Sequence, residues 1–285
     1  MGFLTNAGVL IRGGGDLASG VALRLARCGM HIVITELAQP LAVRRKVSFA
    51  EAVRAGTVEI EGIRGCLVSG PAGIAAIWKE NGIAVIVDPD AEVGSRMTPI
   101  DLPVEVDARM LKVYPARDLD SDRYLIGLGP GSIPGRTCHV AVETQRGPQL
   151  GRVLPEAPPL NDTGTPSGDP RRVMRAPADG ILVTHAEIGD RVCSGQAIAE
   201  VVEDATGEGS GWRGGHAVSA PFDGLLRGLL PAGYAVKAGL KIGDIDPRQD
   251  PELAFLVSEK SLAVGGGVLE AILSRPAFRG LLRNR

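Results

Sequence analysis

The sequence has few aromatic residues and no strong excess of either charge. Only 4% of its 285 residues are Phe, Trp or Tyr, and the formal net charge is −2. Base-stacking surfaces need aromatic side chains, and binding to a phosphate backbone needs a basic face. The sequence therefore predicts no nucleic-acid partner. With 44% apolar residues, it still has enough material for sizeable cores.

Cysteine pairs and long apolar runs are also missing. The four cysteines lie far apart and form no C-x-x-C motif, so we predict no metal site. No apolar run approaches the ~20 residues that a membrane-spanning helix needs, and the first residues do not resemble a signal peptide. We therefore expect a cytoplasmic protein with free thiols and no membrane partner.

Strand and helix patterns alternate in the first hundred residues. Residues 9–12 predict a buried strand, residues 16–28 an amphipathic helix and residues 31–35 a second strand. Two further strands are predicted at 83–87 and 104–106. This alternation favours a Rossmann-like parallel α/β sheet with ligands beyond the carboxyl ends of its strands.

A glycine loop joins the first predicted strand to the first helix. Gly13, Gly14 and Gly15 precede Asp16, and the spacing of Gly13, Gly15 and Ala18 fits G-x-G-x-x-A, with Glu36 about twenty residues on. Such a loop binds phosphate through its amides and the helix dipole, and the acid accepts a ribose hydroxyl. The alternative is a tight packing turn in which Asp16 caps the helix.

A basic cluster follows the second strand. Arg44 and Arg45 precede Lys46, and guanidinium groups suit phosphate or carboxylate ligands. The alternative is a solvated loop before a helix that Ser48 and Glu51 cap.

A second glycine loop follows a predicted strand at 124–126. Gly127, Gly129 and Gly131 lie in this loop, which would converge with the first loop on one anionic ligand. Cys138 and His139 are adjacent further on, but adjacency alone does not assign them a role.

An internal repeat occupies the last third of the chain. Residues 175–201 align with residues 219–245 at a constant offset of 44. The repeated A-P-x-D-G and G-x-x-V-x-x-G positions resemble the two halves of a biotinyl/lipoyl-type barrel-sandwich hybrid. The connection at 202–218 contains no lysine, so no covalent biotin or lipoyl group is expected. Its Trp212, Arg213 and His216 predict a contact loop.

The sequence divides into four predicted segments. Residues 1–118 form the Rossmann-like nucleotide-binding domain, and residues 119–171 carry the second glycine loop. Residues 172–248 form the β-rich barrel-sandwich module. Residues 249–285 form a helical tail that packs on the N-terminal domain, with Gly265–Gly267 opening its helix.

Taken together, the motifs resemble one family over nearly the full length. They are IRGGGDLASG, TELAQPLAVRRKVSFAEAV, IGLGPG, VETQRG, LGRV, RAPADG, KIGDIDPR and GGGVLEAIL. They are similar to the accessory-protein family of the selenium-dependent molybdenum hydroxylase system, which is related to Rossmann-type xanthine dehydrogenase accessory factors. The resemblance implies a maturation role, with molybdenum cofactor or a dinucleotide as ligand and a client molybdenum hydroxylase as partner.

Two other functions stay open from the sequence. One is an NAD(P)-dependent oxidoreductase, although no catalytic residue is evident. The other is a non-enzymatic interaction protein whose glycines serve packing only. The sequence does not decide whether the chain is an enzyme, and it leaves a homo-oligomer open.

Overall fold

The computed structural model describes residues 7–93, 100–120, 122–161, 168–202 and 215–282. The chain divides into two compact units. The first comprises Met1–Pro40, Ser48–Gly164 and Val257–Arg285, and the second comprises Leu41–Val47 and Thr165–Leu256. Trp212 and Arg213 of the predicted contact loop lie outside the described residues.

A nine-stranded sheet forms the centre of the first unit. Its strands are β1 (Ala7–Arg12), β2 (Ile32–Glu36), β3 (Thr57–Ile60), β4 (Ile63–Leu67), β5 (Ile83–Val87), β6 (Asp101–Asp107), β7 (Tyr124–Leu128), β8 (Val140–Val142) and β9 (Val153–Leu154). Their order is β3-β4-β5-β2-β1-β6-β7-β8-β9. In this order, the seven neighbouring strands that begin with β4 and end with β8 are parallel. Strands β3 and β9, at the two edges, are antiparallel to their neighbours.

Four α-helices lie in the described part of the first unit. They are α1 (Asp16–Arg27), α2 (Glu51–Ala55), α3 (Gly70–Lys79) and α4 (Glu259–Leu273). Helices α1 and α4 lie close together where they cross. A Cβ atom added to Gly265 would lie only 2.8 Å from the carbonyl oxygen of Gly20. No helix in the described part of the chain is both long and apolar enough to cross a membrane.

The glycine run of α4 lies inside the helix rather than before it. The helix begins at Glu259, after Ser258 accepts a hydrogen bond from the amide of Ser261. The prediction that Gly265–Gly267 open the helix is therefore wrong. Close packing against α1 explains why glycine is found inside this helix at Gly265.

Two four-stranded antiparallel sheets form the second unit. Their strands are β10 (Val173–Arg175), β11 (Gly180–Thr184), β12 (Arg191–Val192), β13 (Ala197–Val202), β14 (His216–Ser219), β15 (Gly224–Leu229), β16 (Ala235–Val236) and β17 (Lys241–Asp246). The sheets have the orders β10-β17-β15-β12 and β14-β13-β11-β16. Apolar side chains of both repeats share one core.

Reciprocal hydrogen bonds join the two repeats. Asp179 accepts a hydrogen bond from the amide of Ala238 at 2.8 Å, and Asp223 accepts one from the amide of Ser194 at 2.7 Å. Each repeat thus closes a turn of the other, which gives the D-G pair of each repeat a structural role.

The structure corrects the predicted fold class. In place of a parallel sheet followed by a biotinyl/lipoyl-like barrel-sandwich module, the chain forms one large mixed sheet and two antiparallel sheets. The first sheet is mixed because a tight turn reverses the chain between β3 and β4, and β9 returns beside β8.

A buried ion-pair network lies on β15 and β17 of the second unit. Asp244 binds Arg172 and Arg227, and Asp246 binds Arg227 and Arg248. Burial would raise the pKa of Asp246, but the hydrogen bonds from Arg248 and the charge of Arg227 outweigh it and lower the pKa to about 2.

We predict that Asp246→Asn lowers the stability of the second unit by about 2 kcal/mol at pH 7. The folded-state pKa lies below the ordinary value of 3.8, so this contribution is fully present above pH 3.8 and is lost as the pH falls toward 2. Calorimetry of both proteins at pH 7 and pH 2.5 measures the change. A difference that stays constant with pH would contradict the assignment.

Candidate functional site

The first glycine loop is bound to its neighbours through its own backbone. The amide of Gly13 donates to the carbonyl of Thr35 at 2.8 Å, and the carbonyl of Gly14 accepts from the amide of Ala50 at 2.9 Å. A Cβ atom on Gly14 would lie 2.8 Å from the nitrogen of Ala50, so this glycine is needed for close packing. Only Gly15 faces open space, with no described heavy atom within 4 Å of its Cβ position.

Glu36 binds the loop that was predicted to bind a phosphate. Its carboxylate accepts from the amide of Gly14 at 2.7 Å and from the amide of Leu37 at 2.8 Å. A phosphate at the Gly14 amide would lie against this carboxylate and be repelled by it. The carboxylate of Asp16 accepts from the hydroxyl of Ser261 at 3.0 Å.

Carboxylates at two other strand ends also accept main-chain amides. Asp88, after β5, accepts from the amides of Glu92 and Val93. Glu143, after β8, accepts from the amides of Thr144, Gln145 and Leu160. The acids at this edge therefore order the loops that follow the strands.

The two predicted arginines lie in the second unit. Arg44 donates to the carbonyls of Leu253 and Leu256, and Arg45 donates to the carbonyl of Leu229 at 3.1 Å. The structure therefore assigns them to a different compact unit from Gly13–Gly15. These hydrogen bonds to main-chain carbonyls hold residues 41–47 in the second unit.

Atoms of the chain itself fill the space at the second glycine loop. Cβ atoms would lie 3.1 Å from the Sγ atom of Cys138 at Gly127, 2.7 Å from Met110 at Gly129 and 2.9 Å from Tyr114 at Gly131. Gly127 thus allows the close approach of Cys138, and Gly129 and Gly131 allow close packing of residues 110–114.

Cys138 and His139 do not form a nucleophile and base. Burial raises the pKa of the Cys138 thiol, which favours its unreactive protonated form. The Nδ1 atom of His139 accepts from the amide of Leu125, and its Nε2 atom lies 2.9 Å from the carbonyl oxygen of Leu119. Both ring nitrogens are therefore engaged with the backbone.

One buried carboxylate on β6 has three arginines around it. Glu105 is 1% exposed, and its oxygens lie 2.5 Å from Arg117, 3.2 Å from Arg123 and 3.8 Å from Arg12. Arg117 binds it with both terminal nitrogens, which is the fork geometry that guanidinium groups favour.

A second carboxylate lies at the end of the same strand. Asp107 accepts from Arg109 at 2.9 and 2.6 Å and from the hydroxyl of Tyr114 at 3.3 Å. Burial and the charge of Asp107 raise the pKa of Tyr114 to about 12, so it remains a hydrogen-bond donor at neutral pH.

These residues leave an excess of positive charge. We call Arg12, Arg109, Arg117 and Arg123 the arginine cluster; with Glu105 and Asp107 its formal charge is two positive units. Burial, and then the charge of Arg109, lowers the pKa of Arg12. An anion bound beside the cluster would offset this repulsion.

A cavity of about 550 Å³ adjoins the cluster at the start of β6 and β7. Arg117 and Arg123 form its cationic wall. The other residues that line it are apolar or acidic: Ile100, Leu102, Pro103, Leu125, Asp101, Asp118 and Asp122. This volume lies in the range of small-molecule sites.

Sequence reasoning missed most of this cluster. One signal was present: Glu105 interrupts an apolar strand between Val104 and Val106. A lone acid in a buried strand needs a cationic partner, because an unpaired buried charge is costly. The partners lie in loops, where no periodic pattern identifies them.

Comparisons with known proteins give one curated relative and several distant structures. No family model matches the chain. It is 39% identical over 269 residues to the uncharacterized protein YqeB of Escherichia coli K12. The alignment covers 93% of this chain and 47% of YqeB, so the chain spans about half the length of the curated relative it matches.

Similar solved structures include an aspartoacylase family protein from Mesorhizobium loti and a succinylglutamate desuccinylase/aspartoacylase from Rhodobacter sphaeroides. The first has 11% identity, covers 86% of both chains and has a TM-score of 0.27. The second has 12% identity, covers 84% of this chain and 86% of its own, and also has a TM-score of 0.27. Scores this low carry no argument about fold or function.

The comparisons correct the predicted family. No family model matches, and the curated relative and the solved structures named above are not accessory proteins of the selenium-dependent molybdenum hydroxylase system. The predicted maturation function is corrected with it. The predictions of molybdenum cofactor, a dinucleotide and NAD(P) as ligands are corrected as well. The Glu36 carboxylate on the Gly14 amide supplies a physical reason.

Proposed function

We propose that the first unit binds a small molecule through an anionic group of that molecule. The observation that supports this function is the arginine cluster, in which four guanidinium groups surround only two carboxylates. Guanidinium groups bind carboxylates and other oxyanions in a planar fork. The ligand therefore needs a negatively charged group, and it does not need to be a nucleotide.

The arginines are buried enough to be ordered and exposed enough to meet a ligand. Their side chains are between 13% and 30% exposed, with Arg12 the most buried and Arg109 the most exposed. Each guanidinium carries five N–H donors. Arg109 and Arg117 each use two nitrogens to bind Asp107 and Glu105, so further N–H groups of these two arginines can bind an anion.

The predicted glycines have supporting roles in this proposal. The Cγ atom of Arg109 lies 3.4 Å from the Cβ position of Gly13, so the cluster reaches the first glycine loop. Gly129 and Gly131 position the segment that follows Arg109.

We propose binding rather than catalysis. Among the described residues, no group of three His, Cys, Asp or Glu side chains is placed to hold a metal ion. Tyr114 and Cys138 both have raised pKa values, which disfavours proton abstraction by either group at neutral pH.

A cytoplasmic location is part of the proposal. All four cysteines are free, and Cys66 and Cys138 are buried as thiols, which suits a reducing compartment. The expectation of no nucleic-acid and no membrane partner stays a prediction. So does the expectation of a client enzyme, and a homo-oligomer stays open.

We predict that Arg109→Gln weakens the binding of succinate or sulfate by about 10- to 100-fold, because it removes a charge-assisted hydrogen-bond donor. Isothermal titration at fixed ionic strength measures the affinity. The control is Arg64→Gln, since Arg64 forms an exposed ion pair with Glu80 away from the cluster. This variant should bind both anions as tightly as the wild type does. Failure of succinate, sulfate, phosphate and citrate to bind the wild type would contradict the function.

A further inference from the structure

The cavity beside the arginine cluster has walls of two opposite charges. Arg117 and Arg123 lie on one side, where both bind Glu105. Asp101, Asp118 and Asp122 also line the cavity, and all three are exposed. Opposite charges at one small cavity can bind opposite charges of one ligand.

The three aspartates are not explained by ion pairs. Within the ranges that the structure describes, none of them forms an ion pair with a lysine or arginine. Asp118 accepts only a local hydrogen bond from the amide of Asp120 at 3.0 Å. Three carboxylates without such partners would attract a positively charged group of a ligand.

The apolar part of the lining favours an organic ligand over an inorganic ion. Leu102 and Leu125 are buried, and Ile100 and Pro103 are half-buried beside them. A hydrocarbon group can lose its contact with water on this surface. A cavity of about 550 Å³ is large enough for such a group together with two charged ends.

We propose that this cavity binds a zwitterion of the α-amino-acid class. The inference rests on the proposed function and specifies its ligand. The carboxylate binds Arg117 and Arg123, the ammonium group binds the aspartates, and the side chain contacts Leu102 and Leu125. The aspartates nearly balance the excess charge of the arginine cluster, so a ligand with separated charges and no net charge is complementary to the whole site.

The test compares free amino acids with their N-acetyl derivatives. Acetylation keeps the carboxylate and removes the positive charge. The twenty common L-amino acids are first tested by thermal shift with the full chain at fixed ionic strength. The strongest ligand and its N-acetyl derivative are then titrated calorimetrically. We expect the free amino acid to bind at least tenfold more tightly.

Two variants assign this preference to the acidic wall. Asp118→Asn with Asp122→Asn should reduce the preference for the free amino acid to less than threefold. Asp120→Asn is the matched control, because Asp120 lies between them in sequence but does not line the cavity. It should keep the wild-type preference.

The possible failures are distinguishable. Equal binding of the free and acetylated amino acid, or an unchanged preference in the double variant, would overturn the zwitterion proposal while leaving anion binding intact. Binding of succinate or sulfate without any amino acid would do the same. If neither amino acids nor simple anions bind, the proposed function fails as well.

Discussion

Replacement of Glu105 by Gln should destabilise the first unit by about 3–5 kcal/mol. Glutamine has nearly the same shape, so the change removes the charge and leaves the packing intact. Arg12, Arg117 and Arg123 would then lie together with no carboxylate between them. Removing one partner of a buried ion pair is costly because the remaining charges stay desolvated.

Trp78 provides a local probe for this measurement. It is buried in the first unit, and its indole nitrogen donates to the carbonyl of Ile32 at 2.9 Å. In a Trp212→Phe background, Trp78 is the only tryptophan, so urea unfolding followed by its fluorescence reports the first unit. Sulfate should stabilise Glu105→Gln more than the wild type, because an anion replaces the lost charge.

Glu80→Gln is the control for Glu105→Gln. Glu80 forms an exposed pair with Arg64, and such pairs contribute at most about 1 kcal/mol. A loss below about 1 kcal/mol for Glu105→Gln as well would show that the arginines do not depend on Glu105, and the charge argument for the site would fail.

Local sequence patterns predicted many elements of the first unit but not the antiparallel return of β9. The apolar run at 83–87 is β5, and the amphipathic pattern at 16–28 is α1 within one residue. Buried strands and amphipathic helices carry such patterns in their own residues. The antiparallel addition of β9 depends on where the chain returns, which no local pattern contains.

The candidate site shows the same limit more sharply. Glu36 was expected to bind a ribose, and its position at the end of β2 is as predicted, but the amide of Gly14 binds it. The sequence indicates which polar groups lie at strand ends. It does not show that other parts of the same chain bind them, as the amides at Asp88 and Glu143 do.

The consecutive glycines of α4 offer a second test with a large contrast. A Cβ atom on Gly267 would lie 2.8 Å from Cγ1 of Val142 and 3.0 Å from the carbonyl carbon of Gly151. A Cβ atom on Gly266, one residue earlier, would meet no described atom within 4 Å. The same substitution can therefore be made at a crowded position and an open one in one helix.

We expect Gly266→Ala to stabilise the first unit by about 0.5–1 kcal/mol, because alanine restricts the unfolded chain and favours the helix. We expect Gly267→Ala to destabilise it by about 1–3 kcal/mol, because the methyl group must displace backbone at Gly151. Urea unfolding with the Trp78 probe compares both variants with the wild type. Helix propensity is the same for the two substitutions, so their difference, about 1.5–4 kcal/mol, measures the packing of α4 against the turn before β9. Equal stabilities would show that this turn yields to the added methyl group, and the close contact at Gly267 would then not be what requires glycine there.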